Sequence, residues 1–131
     1  MVDELRVGAY ARLEALVARP DLEGQAAHWG PARELELDAS LLGRVLLAMT
    51  TAHDDGMPEV TPDELGAALS LFEQMRIQLD RLETQVVIEA RRRGMEWRQI
   101  APHQGLGSSQ AASQRYQRLV TRLEEIRQGV R

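Results

Sequence analysis

The sequence predicts an all-α protein, in which N-terminal helices precede a long helix that leads into a C-terminal helix-turn-helix. Three observations support this fold class. Apolar residues recur at spacings of three and four along most of the 131 residues. The run 61-TPDE-64 has the residues of a helix start, and a Gly-rich break at 105-GLGSS-109 separates two helical patterns. A chain of this length forms one compact unit, or a small module with an appended helical arm.

The composition excludes several classes of protein. There are no cysteines, so a disulfide framework is excluded, and three histidines argue against a zinc site. The chain has no run of about 18 apolar residues, the length that crosses a membrane. The run 1-MVDELR-6 is acidic, where a secretory signal is basic. We therefore expect a cytoplasmic protein with no membrane partner, located at the nucleoid if it binds DNA.

Charge is divided unevenly along the chain, although the net charge is only −4. Residues 1–75 carry five Arg and fourteen acidic residues, a net charge of −9, whereas residues 76–131 carry eleven Arg and six acidic residues, a net charge of +5. This division predicts that the C-terminal part meets a polyanion. The acidic part is expected to repel nonspecific phosphate contacts or to bind a protein partner. The alternative is a set of merely solvated helix surfaces.

Residues 1–60 are predicted to form an acidic helical region. Apolar residues at helical spacing mark a first helix, which Pro20 ends: Leu5, Ala9, Leu13, Leu16 and Val17. The segment 20–35 has two Pro and two Gly around Trp29, which predicts a structured loop with the indole in the core.

A second helix is predicted with Asp38 or Ser40 as its N-cap, and the turn-forming run 53-HDDGMP-58 closes it. Its apolar face comprises Leu41, Leu42, Val45, Leu46 and Met49. The only strand-like pattern is the brief alternation 34-ELEL-37.

Residues 61–131 are predicted to hold a long helix and the DNA-binding region. Thr61 supplies the N-cap, Pro62 the first helical position and Glu64 the reciprocal capping residue, and Gly94 ends the helix. Apolar residues repeat along it at alternating steps of three and four and form a heptad seam: Leu65, Ala68, Phe72, Met75, Leu79, Leu82 and Val86. The seam predicts a homodimer interface, with the alternative that the chain's own N-terminal helices cover it.

The pattern after residue 94 is that of a helix-turn-helix. Trp97, Ile100 and Ala101 fall on one face of a short helix, which Pro102 is expected to end early. Gly105 follows Ala101 at the spacing of the motif, where the turn requires a positive φ.

The second helix of the motif is predicted to begin at Ser108, a natural N-cap. Leu106 points into the small core, and an inward stripe continues along the helix: Ala112, Tyr116, Leu119, Leu123 and Ile126. The motif core is therefore expected to contain Trp97, Ile100, Ala101, Gly105, Leu106, Ala112 and Tyr116.

The opposite face of this helix carries Gln, Ser, Thr and Arg, where a merely solvated helix more commonly displays Glu and Lys. Gln presents paired donors and acceptors to adenine, and Arg presents a fork to guanine, in the major groove. On this face lie Gln110, Gln114, Gln117 and Thr121, flanked by Ser113 and Arg118. We expect base contacts from Ser109, Gln110, Ser113, Gln114 and Arg118.

Phosphate contacts are expected from residues around the reading helix, where the DNA backbone passes: Arg91, Arg92, Arg93, Arg98, His103, Ser108 and Arg115. Arg115 lies nearer the inward edge of its helix, so an internal salt bridge is its alternative role.

A resemblance covers about residues 79–119. It rests on 79-LDRLE-83, 89-EARRRG-94, Trp97, 100-IAP-102, 105-GLGSSQAASQRY-116 and Leu119. With these residues the chain resembles small actinobacterial helix-turn-helix DNA-binding proteins that regulate a small heat-shock protein. The resemblance implies a transcription factor whose second motif helix begins at Ser108. It implies nothing about residues 1–60.

No catalytic pattern accompanies these features. A nucleophile elbow and a Cys-His pair are absent, so no enzyme, catalytic residue or cofactor is predicted. His28, His53, Asp54 and Asp80 are metal-ligand types, but a Gly- and Pro-bounded turn explains the triplet 53-HDD-55, and no metal site is predicted. Two alternatives to a regulator remain: a nucleoid-associated architectural protein, and a helical protein-interaction module or anti-activator that binds through the heptad seam.

Overall fold

The computed structural model describes residues 2–18, 30–51 and 60–129. Within these ranges the chain forms five α-helices and no strand, which confirms the predicted all-α class. The helices are α1 (Val2–Val17), α2 (Gly30–Thr50), α3 (Pro62–Arg92), α4 (Trp97–His103) and α5 (Ser109–Arg127). In the same ranges, none of the helices is both long enough and apolar enough to cross a membrane.

Helix α1 lies open to solvent along its length. The predicted apolar residues are helical, but Leu5, Leu13 and Leu16 are all mostly exposed. At 100° per residue, the apolar side chains of α1 are spread over more than half of its circumference, so they form no narrow stripe for a partner helix. Pro20 and Trp29 lie outside the described residues.

Helix α2 is longer than the sequence predicted. Asp38 and Ser40 lie inside the helix, and neither is its N-cap. The sequence from residue 30 allows this earlier course, because Pro31 suits a first turn and 34-ELEL-37 consists of good helix formers. The predicted turn 53–58 lies outside the described residues.

Only part of the predicted apolar face of α2 is covered. Leu42 is buried and Val45 and Met49 are half-buried, whereas Leu41 and Leu46 are exposed. The covered residues follow the steps of three and four that face a single partner helix, which is α3.

Helix α3 begins and ends as predicted. The Thr61 hydroxyl accepts a hydrogen bond from the Glu64 N–H at 3.4 Å, and the Glu64 carboxylate accepts one from the Thr61 N–H at 3.3 Å. Gly94 has a φ of +90°. Its N–H donates to the Arg91 carbonyl and the Met95 N–H donates to the Ala90 carbonyl, each at 3.0 Å, which is a Schellman ending.

The heptad seam of α3 is divided between two environments. Ala68, Met75 and Leu82 are half-buried, and α2 packs on that side, with the Gln78 amide donating to the Glu34 carboxylate. The remaining residues of the seam are exposed: Leu65, Phe72, Leu79 and Val86. The alternative that the chain's own N-terminal helices cover the seam thus holds for one side of α3, where α2 packs.

A second packing centre lies where α4 and α5 meet the C-terminal half of α3. Its buried residues are Val87, Ile100, Ala101, Ala112 and Leu119. The predicted boundary at residue 60 falls between α2 and α3, two helices that pack against each other.

Candidate nucleic-acid interface

The short helix α4 includes Pro102 and His103, so the expectation that Pro102 ends it early is wrong. The pyrrolidine ring fixes φ near the helical value, and only the backbone hydrogen bond to the Arg98 carbonyl is lost. At the start of α4, the Glu96 N–H donates to the Gln99 side chain at 2.8 Å.

The turn after α4 has the geometry that its glycine predicted. Gly105 has a φ of +72°. The Leu106 N–H donates to the Ala101 carbonyl at 2.8 Å, and the Gly105 N–H donates to the Pro102 carbonyl at 3.0 Å. Gly105, which was expected in the motif core, is exposed, and a Cβ at this position would meet nothing within 4 Å. The turn needs glycine for its backbone conformation alone.

Helix α5 starts at Ser109, with Ser108 as its N-cap as predicted. The Ser108 hydroxyl accepts a hydrogen bond from the Ala111 N–H at 3.1 Å. Ala112 is fully buried and Leu119 is 8% exposed, while Tyr116, Leu123 and Ile126 are half-buried. The inward stripe of α5 is therefore the one that the sequence indicated.

An aromatic stack joins α3, α4 and α5. The ring centroids of Trp97 and Tyr116 are 5.6 Å apart with an interplanar angle of 43°. The Arg91 guanidinium lies 4.8 Å from the centroid of the Trp97 ring, and its NH1 donates to the Met95 carbonyl at 3.1 Å. A cation over an aromatic face is attracted by the ring quadrupole. Arg91, predicted to contact phosphate, thus also supports the position of Trp97.

The outward face of α5 presents amide, hydroxyl and guanidinium groups. Among the residues predicted to contact bases, Ser113 is half-buried and the others are exposed: Ser109, Gln110, Gln114 and Arg118. One open groove is lined by Gln114, Gln117, Arg118 and Thr121, and it reaches Arg122 and Glu125. The sequence has no Asp or Glu between Trp97 and Leu123. This outward face therefore lacks carboxylates until the last two turns of α5.

The predicted phosphate-contacting residues differ in their ion pairs. Arg93 and Arg92 lie 2.7 Å and 3.6 Å from the Glu89 carboxylate, and the hydrogen bond from Arg93 lowers the pKa of Glu89. Arg98 lies 2.5 Å from Glu96 and is 77% exposed. His103 and Ser108 are also exposed. The carboxylates of Glu89 and Glu96 partly neutralise this set of arginines.

Arg115 forms the internal salt bridge that was the alternative to a phosphate contact. Its Nε and NH2 donate to the two Glu83 carboxylate oxygens, at 2.5 Å and 2.7 Å. Gln104 donates to the same carboxylate at 3.1 Å. These contacts, above all the hydrogen bond from Arg115, lower the pKa of Glu83, and the hydrogen bond to Glu83 raises the pKa of Arg115. A phosphate contact would require an unpaired guanidinium, whereas Arg115 is paired with Glu83.

A second ion pair attaches α5 to α3 farther along both helices. Arg122 bonds to Glu73, and its NH1 lies 3.6 Å from the Asp80 carboxylate. Arg122 follows Arg115 by seven residues, or about 10 Å along a helix, on the same face. For Arg115 the sequence indicated a salt bridge only as an alternative and without its partner, and it gave no indication of the Arg122 contacts. A further signal was Gln104, a half-buried polar residue three positions after the buried Ala101, which needs a partner and finds it in Glu83.

The chain matches no family model, no curated protein and no solved structure. The resemblance over residues 79–119 therefore stays a prediction. Within residues 2–18, 30–51 and 60–129, no three His, Cys, Asp or Glu residues lie together as metal ligands would. His28, His53 and Asp54 lie outside these ranges.

Proposed function

We propose that this protein is a sequence-specific DNA-binding transcriptional regulator. In this proposal α4, the turn and α5 form a helix-turn-helix, and α5 enters the major groove from Ser108 onward. The observation that carries the proposal is the outward face of α5, which is exposed, carries Gln and Arg, and has no carboxylate before Glu124. A carboxylate on such a face repels the phosphates that line the groove.

The arrangement of side chains on α5 favours base contacts near its N-terminus. Gln110 and Gln114 are exposed and one helical turn apart, a spacing that matches neighbouring base pairs along the groove. A Gln amide bonds to both N6 and N7 of adenine, and Arg118 is suited to guanine O6 and N7. The short side chains of Ser109 and Ser113 let the helix backbone approach the bases.

Phosphate contacts are proposed for groups at the edges of this face. Ser108 stands at the N-terminus of α5, where unpaired backbone N–H groups attract anions. Arg98 and His103, on the preceding helix α4, are also exposed. Contacts of this kind position the protein on the duplex without reading sequence.

The proposal is tested by single alanine substitutions on α5. Gln110→Ala and Gln114→Ala should each weaken binding to a site selected from random DNA by about 1–3 kcal/mol. Binding to random DNA should hardly change. Gln85→Ala, at an exposed position on α3, is the matched control and should bind the selected site as the parent protein does. Fluorescence anisotropy at several salt concentrations measures all of these affinities.

Three results would contradict the proposal, and two of them point to another function. Equal binding of both variants and the parent to the selected site means that α5 does not read bases. Tight binding with little preference for any site identifies an architectural protein. A chain that binds no DNA at all, at any salt concentration in the series, is an interaction module.

A further inference from the structure

One side of α3 carries apolar side chains that neither α2 nor α5 covers. A first row recurs every seven residues and is 43%, 41%, 51% and 68% exposed, in the order Leu65, Phe72, Leu79 and Val86. A second row follows four residues later: Leu69, Arg76 and Glu83. Residues separated by four and seven positions lie on one face of a helix. We call these two rows the exposed stripe of α3; its residues are exposed except Glu83, which is half-buried, with 30% of its side chain exposed.

The position of Leu79 shows why the stripe is uncovered. Gln78 bonds to Glu34 of α2, and Asp80 pairs with Arg122 of α5. Successive residues of a helix are 100° apart, so Leu79 points between the two packed helices. A groove of about 390 Å³ opens beside it and is lined by Leu79, Leu82, Val86 and several charged side chains.

The stripe is complementary to itself when it is turned end for end. With a two-fold axis beside Leu79, the two Leu79 side chains meet, and Phe72 of one copy lies opposite Val86 of the other, each seven residues from the axis. Arg76, three residues before Leu79, then lies opposite Glu83, four residues after it. The pairing thus joins apolar to apolar residues at three places and Arg76 to Glu83 at two.

We infer that the exposed stripe binds a second copy of this chain in antiparallel orientation, across a two-fold axis beside Leu79. In a parallel pair the two-fold axis runs along the helices and places the Arg76 and Glu83 row of one copy on the opposite side of the interface from the same row of the other, so the Arg76–Glu83 pairs cannot form. The interface is isologous, so it closes at a dimer. This inference goes beyond the proposed function and holds whether or not α5 reads DNA.

The charged groups of the stripe have room for the new contacts. The Arg76 side chain is 63% exposed. It forms an ion pair with Glu73 on the same helix, and at 3.7 Å between exposed groups this pair is weak. Glu83 accepts two hydrogen bonds from Arg115 and one from Gln104. A carboxylate has about four acceptor positions, so Glu83 retains one for Arg76 of the second copy.

A charge reversal tests the pairing. Arg76→Glu places a carboxylate opposite Glu83 at two places in each dimer, and we expect the dimer dissociation constant to rise at least about tenfold. Arg81→Glu makes the same change of charge at an exposed position on the other side of α3 and should leave the constant unchanged. Sedimentation equilibrium gives both constants, and circular dichroism verifies that both variants are folded. Equal effects of the two variants overturn the inference. So does a parent chain that is still monomeric at about 100 μM, roughly the dissociation constant of a weak interface.

Cysteine cross-linking tests the orientation, since the chain has no Cys. Leu79→Cys should form an intermolecular disulfide under mild oxidation. Val86→Cys should not, because the two copies of this residue are about 21 Å apart in the antiparallel pair, far beyond disulfide reach. Arg81→Cys serves as the control for random collisions. Rapid cross-linking through Val86→Cys contradicts the antiparallel arrangement, as does a rate for Leu79→Cys no higher than that of the control.

Discussion

The Glu83 carboxylate accepts hydrogen bonds from two side chains beyond the end of α3. Gln104 lies in the turn between α4 and α5, and Arg115 lies on α5. Both charged partners are partly shielded, with 30% and 40% of the side chains of Glu83 and Arg115 exposed. A bidentate, partly shielded pair orients the groups it joins more strongly than an exposed pair. Glu83 thus fixes how α5 lies on α3.

Substitution of Arg115 should lower stability, whereas substitution of its neighbour on the outward face should not. Arg115→Ala removes two charge-assisted hydrogen bonds and is expected to lower the free energy of unfolding by about 1–2 kcal/mol. Arg118→Ala, on the outward face, should leave the free energy of unfolding unchanged and weaken DNA binding. Urea denaturation followed by circular dichroism measures the first effect. Equal stabilities of the two variants would contradict the anchoring role of Glu83.

The stabilising effect of this pair should disappear in acid. The pKa of Glu83 lies below its ordinary value of 4.5, chiefly through the hydrogen bond from Arg115. A carboxylate with a lowered pKa stabilises the fold above its unfolded-state pKa and loses that effect as pH falls through its folded-state pKa. The difference in unfolding free energy between the parent and Arg115→Ala should be constant from about pH 7 to pH 5 and shrink below it. A difference that vanishes near neutral pH would point to another cause.

Pairings of this kind could not be predicted from the sequence. Glu83 and Arg115 are separated by 32 residues, and the periodicity placed Arg115 near the inward edge of its helix without indicating which residue it would pair with. By contrast, the burial of Ala112 and Leu119 followed directly from their spacing. Side-chain partners distant in sequence depend on how the helices cross, which single-helix patterns do not contain.

The ends of the helices were predicted best where one local signal had no competitor. Thr61, Ser108, Gly94 and Gly105 all have the predicted role, because a cap or a positive φ depends on only four or five residues. The N-terminal extension of α2 was missed because Asp and Ser favour caps, whereas Asp38 and Ser40 both lie inside the helix. The surrounding helix formers decide between these roles.

Two glycine substitutions distinguish the need for a positive φ from the general effect of replacing glycine on the unfolding free energy. Gly94→Ala forces an L-residue into a left-handed conformation and should cost about 1–2 kcal/mol of unfolding free energy. Gly107→Ala is the matched control: its Cβ meets nothing within 4 Å, and Gly107 is not among the glycines with positive φ. Its effect should be neutral or slightly stabilising. Thermal denaturation of both variants measures the difference, and equal midpoints would show that the Schellman ending of α3 contributes nothing.

At the scale of the whole molecule, α1 stands apart from the packed helices. Its side chains from Asp3 onward are exposed, whereas α3 packs with both α2 and α5. The divided charge adds a second contrast, because the acidic residues concentrate before residue 76 and the Arg residues after it. Binding of a protein partner by the acidic region stays a prediction.

Deletion of residues 1–18 should leave the packed helices intact. The truncated chain is expected to lose helical circular dichroism in proportion to the removed residues, with the same midpoint of urea denaturation as the full chain. An exposed helix of this length contributes little cooperative stability. A lower midpoint would mean that α1 supports the packed helices.

Two ion pairs and a ring stack hold α5 before any ligand arrives. Arg115 and Arg122 attach it at points about 10 Å apart, and Tyr116 lies against Trp97 between them. Helix rotation about its own axis or tilting away from α3 breaks at least one of these attachments. A ligand of the outward face therefore meets a preorganised surface, and its affinity is not reduced by the conformational entropy of ordering a helix. Association should accordingly show the small heat-capacity change of rigid docking, without the larger one that accompanies folding on binding.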